Sequence, residues 1–156
     1  MFDEFRQNPT ESRSQHHQAN LARLAEIQAQ LKLLVQVRER LLKDLTNLKS
    51  KLETHRQAGA AIKSRAMAIL NRLAQQVEEG NPAHQTLSPE DEQLLRELEA
   101  SREQLERDVD VTERKLKIAQ FEADTLAQIL EELELQVAEI ASDLNDDEDF
   151  APHERH

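Results

Sequence analysis

The side chains that most often do chemistry are sparse in this chain and poorly spaced for it. Histidines stand at His16, His17, His55, His84, His153 and His156, and there is no cysteine. Without cysteine there is no thiolate nucleophile, no disulfide framework and no Cys-based zinc site. A metal site built on facing helices uses Glu-x-x-His, which aims both ligands inward from one face. No histidine here follows a glutamate at that spacing, and His-Glu-x-x-His is absent too. His16 and His17 are adjacent near the fraying start of a helix, so their side chains point apart and suggest only weak adventitious metal binding. Two glycines, Gly59 and Gly80, are too few for a glycine-rich phosphate loop. No catalytic residue, cofactor or metal is expected, and the chain reads as a non-enzyme.

The elements that carry these residues follow from composition. Of 156 residues 33% are charged, and four phenylalanines are the only aromatics. Ala, Leu, Glu, Gln, Arg and Lys dominate, the profile of long helices and coiled coils. No stretch approaches the 18 apolar residues of a membrane-spanning helix. Met1 to Arg6 lacks the basic start and apolar run of a signal peptide. A cytoplasmic protein is the expectation.

Hydrophobic spacing names the fold. Steps of three and four from Leu24 meet Ile27, Leu31, Leu34, Arg38, Leu41, Leu45, Leu48, Leu52, His55, Gly59, Ile62, Ala66, Ile69, Leu73 and Gln76. A 3.5-residue repeat held this long keeps one seam facing a partner helix, the coiled-coil signature. Gly80 and Pro82 break the pattern, since glycine closes a helix and proline cannot continue one. Ser88-Pro89-Glu90-Asp91 restarts it with a cap, a first-turn proline and acids at the positive end of the dipole. The second seam runs Leu95, Leu98, Arg102, Leu105, Val109, Thr112, Leu116, Ala119, Ala123, Leu126, Leu130, Leu133, Val137, Ile140 and Leu144. The expected organisation is a flexible leader 1–11, helix one 12–79, a turn 80–88, helix two 89–145 and an acidic flexible tail 146–156. Ser12 and Gln15 offer a capping box for the first helix, with Ser14 as a competing start.

The fold class is therefore all-α, a long antiparallel helical hairpin (coiled coil), with a four-helix bundle as its expected assembly. Each arm runs about 56 residues from the break, roughly 80–85 Å at the helical rise. Arms of equal length leave no apolar seam exposed. Charge supports the same pairing. From Lys32 to Arg72 there are ten Lys/Arg against three Asp/Glu, and from Pro89 to Asp149 six against twenty-one. A basic arm thus faces an acidic one. The net charge of −11 argues against a nucleic-acid partner, which calls for a basic face. One register pairs Leu73 with Leu98, Leu45 with Leu126, Leu31 with Ile140, and Arg38 with Leu133 between Glu132 and Glu134. A half-heptad shift is the alternative.

Arg38, His55, Arg102 and Thr112 interrupt the seams. They read either as a polar cluster with a binding role or, the favoured reading, as single polar positions that set register. His55 and Gly59 mark a weak midpoint of helix one. Outside the seams lie Leu33, Val35, Val37, Leu42, Met67 and Leu70 on helix one, and Leu94, Val111, Ile118, Phe121, Ile129 and Leu135 on helix two. A second apolar stripe implies more helices to pack against. Val111, Ile118, Phe121, Leu135, Leu33 and Val37 are its chief candidates for interaction. The sequence thus points to a non-catalytic scaffold or adaptor that forms a dimer of hairpins, docks a helical protein partner, or does both. The alternative is a helical chaperone or escort subunit of a larger complex.

Overall fold

The structure, a computed structural model, describes residues 9–80 and 87–150. It is all-α: α1 spans Pro9–Glu78, α2 spans Pro89–Phe150, and the two pack against each other as a helical hairpin.

The helix ends differ from expectation at both outer limits. α1 starts at Pro9, so Ser12, Ser14, His16 and His17 lie inside it and the Ser12–Gln15 pair is not at its start. Proline is suited to the first turn, where its missing N–H leaves no intrahelical bond unmade. α2 runs on to Phe150 and takes in the first residues of the expected tail. No glycine or proline stands between Leu144 and Pro152 to stop it. The rest of the expected leader and tail, and most of the turn, lie outside the described residues.

Both signals at the turn act as their chemistry dictates. Gly80 takes φ 72°, the left-handed conformation that only glycine adopts without strain. Its N–H donates to the Val77 carbonyl at 3.1 Å. At the other side the Asp91 N–H donates to Ser88 Oγ at 3.1 Å, and the Glu92 N–H donates to the Ser88 carbonyl at 2.9 Å. Serine is therefore the N-cap, Pro89 the first helical residue, and Glu90, Asp91 and Glu92 fill the first turn.

The chain divides into two compact units. The turn unit, residues 43–120, holds the buried seam residues Leu45, Leu52, Ile69, Leu98, Thr112 and Ala119. There Leu105 Cδ2 lies 3.3 Å from where a Cβ on Gly59 would stand, and Arg72 pairs with Asp91 at 3.2 Å. The register expected from sequence would set Gly59 across from Thr112, seven residues farther along α2. The difference has a packing reason. Gly59 leaves a hole that a long side chain fills, whereas Thr112 is short and turned to its own helix, its hydroxyl donating to the Asp108 carbonyl at 2.8 Å.

That hydroxyl bond makes a prediction. Thr112 is only 2% exposed, yet its polar group is satisfied within α2. Thr112→Val removes a hydroxyl that binds nothing across the seam and keeps the β-branched shape. Stability in urea should change by less than about 1 kcal/mol. A loss well above that would mean that the threonine holds a partner on α1.

The terminal unit comprises the chain up to Leu42 and from Phe121 onward. Its core is Ile27, Ile140 and Leu144, with Leu24, Leu31, Leu133 and Val137 packed around them. Residues from both helices enclose Ile27, which is why it is among the least exposed side chains of the molecule. The seam also reaches beyond its expected first residue. Asn20 and His17 continue the steps back from Leu24 and are half-buried, and Asn20 Nδ2 is buried with no hydrogen-bond partner.

Candidate interaction faces

The polar seam positions do not form one cluster. Arg38 is exposed, and among the described residues no hydrogen bond or ion pair holds it to Glu132 or Glu134. His55 is half-buried, with Nε2 buried and without a hydrogen-bond partner. Thr112 is buried. Arg102 is exposed and leaves the seam by its long stem. Its guanidinium donates to Glu99 and, at 3.1 Å, to Glu106, all on α2. The hydrogen bond from Arg102 holds the Glu99 carboxyl below the usual carboxylate range. The same bond, then the nearby charges of Glu99 and Glu106, push the Arg102 guanidinium up from its ordinary value. Such bonds within one exposed helix contribute little to stability.

The expected interaction residues all lie at the surface. In the terminal unit Leu33 is 63% exposed, Val37 45%, Phe121 72% and Leu135 61%. In the turn unit Val111 and Ile118 are about half exposed, one heptad apart on α2. Arg107, Arg114 and Lys115 stand three or four positions from one or both of them and are exposed too, as is Glu122 four positions beyond Ile118.

Sequence reasoning missed a groove in the turn unit. It is open, about 830 Å³ in volume, and lies between α1 and α2 beside the seam. Its apolar lining comes from Ile62, Ala66, Met67 and Leu70 on α1 and Leu95 and Leu98 on α2. Gly59 and Ala66 are small for seam residues, which leaves the space between the helices open to one side. Lys63, Glu92, Arg96, Glu99 and Arg102 form the charged rim.

The rim belongs to two longer rows. On α1, Lys49, Arg56 and Lys63 follow one another at seven-residue steps and are all exposed. On α2, Glu92, Glu99, Glu106 and Glu113 do the same. Each step is two helical turns, so each row keeps to one side of its helix. Arg96 binds Glu92 at 3.0 Å, and Arg102 serves Glu99 and Glu106. Among the described residues no ion pair holds Lys49, Arg56 or Lys63. Both rows are visible in the sequence. Which side of each helix they occupy matters only once the groove is known.

Among the described residues no group of three or more His, Asp or Glu side chains could hold a metal ion. No described helix is long and apolar enough to cross a membrane. No protein family, curated protein or solved structure matches this chain, so its faces have to be read from their own chemistry.

Proposed function

We propose that the chain is a non-catalytic coiled-coil scaffold or adaptor that self-associates and docks other helical proteins in a cytoplasmic setting. One observation carries this reading: large apolar side chains stand exposed outside a seam that is already filled. A two-stranded hairpin needs only that seam to be apolar. Met67, Leu70, Val111, Ile118 and Phe121 cost solubility and give the isolated hairpin nothing in return. The sequence chemistry supports a non-catalytic role, with no thiol and no metal-ligand spacing. A second reading is an escort subunit that holds a helix of another protein. It is favoured by Val111 and Ile118, which sit beside Arg107, Arg114 and Lys115 and so suit an acidic amphipathic helix.

The test is molar mass by light scattering during size-exclusion chromatography. At about 100 µM, a concentration that reveals association worth only ~5.5 kcal/mol, the average mass should be at least about 1.5 times that of one chain. A single-chain mass at that concentration sinks self-association.

A further inference from the structure

We infer that a second copy of this chain covers the groove of the turn unit, with both turns at the same end and α1 of each copy lying on α2 of the other. The inference rests on the self-association reading and assigns its face and geometry. The groove is apolar along its floor, and Met67 and Leu70 on its edge are nearly half exposed.

A twofold dimer brings the same surface of both copies together. Two hairpins meeting over this groove have two ways to do so. If the axis runs across the helices, α1 meets α1 and α2 meets α2, with the turns at opposite ends. Basic row then faces basic row, and glutamate row faces glutamate row. If the axis runs along the helices, α1 meets the second copy's α2. Lys49, Arg56 and Lys63 then lie on the second copy's glutamate row, and twofold symmetry makes that contact twice.

Charge over the whole unit favours the second arrangement. From Lys43 to Glu78 there are seven Lys/Arg against three Asp/Glu, and from Pro89 to Gln120 six against ten. Each exposed pair contributes little alone, so the apolar floor supplies affinity and the rows select orientation. The unpaired state of the three basic residues fits this division of labour. On α2, Glu92 is bound to Arg96 and Glu99 and Glu106 to Arg102 in a single copy, whereas Glu113 is in none of these pairs, and four glutamates against two arginines leave the row acidic.

Charge reversal of the full chain tests this, read by light scattering and by helicity from circular dichroism. Lys49→Glu with Arg56→Glu should raise the dimer dissociation constant at least tenfold, and Glu106→Lys with Glu113→Lys should do the same. The fourfold variant should return it to within about threefold of the starting value, because the opposite signs again face each other. Met67→Ser with Leu70→Ser should weaken the dimer at unchanged helicity, since both side chains are exposed.

The outcomes separate cleanly. A monomeric native chain ends the self-association reading itself. A dimer unaffected by the Met67 and Leu70 pair uses another face, and the present inference fails alone. Loss of the dimer on either reversal without rescue by the fourfold variant overturns the arrangement with the turns together.

Discussion

Replacing Ile27 by alanine should destabilise the chain by about 2–4 kcal/mol, and replacing Ile140 by alanine should do much the same. Both belong to the core of the terminal unit and come from opposite helices. Each is 5% exposed, so nearly the whole side chain is withdrawn from water. Truncation removes three methyl or methylene carbons at about 0.8 kcal/mol each, and any cavity left behind adds to that. A two-helix core is thin, and its flanking side chains can lean inward, which places the cost toward the lower half of the range. Urea titration followed by circular dichroism measures it. The double variant should cost less than the two losses combined, because each single change already loosens the shared contact. Losses below about 1 kcal/mol for both would mean that the helices do not bury Ile27 and Ile140 against a common core.

The hairpin was legible because its causes are local and repetitive. The side chains named by the steps from Leu24 to Leu73 and from Leu95 to Leu144 are all buried or half-buried, apart from Arg38 and Arg102. Gly80 and Ser88 were legible for the same reason, since each acts through its own backbone or hydroxyl. The outer helix limits were less so. Start and stop signals compete there, and Pro9 precedes the capping pair Ser12 and Gln15. Register was the harder problem. A perfect heptad fits its partner equally well at every seven-residue offset, so only irregular positions discriminate. Gly59 is the discriminating residue here, and its partner Leu105 is an ordinary member of the second seam. The groove was hidden for a related reason. Small residues such as Gly59 and Ala66 look like weak seam positions in sequence, and only the packed pair of helices shows the space they leave.

Gly59→Leu should destabilise the chain by about 1–3 kcal/mol, although leucine is a far better helix former than glycine. Propensity and packing pull in opposite directions at this position. Glycine in a helix interior costs about 1 kcal/mol relative to alanine, so any side chain here relieves the backbone. A Cβ would stand 3.3 Å from Leu105 Cδ2, slightly tighter than ordinary contact. Leu105 is only half-buried, and its terminal methyl can move a few tenths of an ångström. Gly59→Ala should therefore gain most of the propensity and stabilise the chain by up to about 1 kcal/mol. Leucine adds three more carbons to a place that Leu105 already fills, so α2 must shift or one side chain must leave its preferred rotamer. The escape open to the new side chain is the groove that Gly59 lines, and entering it would occupy the apolar floor assigned to the second copy. The two substitutions thus carry opposite signs from one cause, the closeness of Leu105. Thermal unfolding of both variants reads that sign directly. If leucine stabilised the chain as much as alanine, either the leucine would lie in the groove, and the dimer would weaken with it, or, with the dimer unchanged, Leu105 would not lie over Gly59 and the register of the turn unit would have to be redrawn.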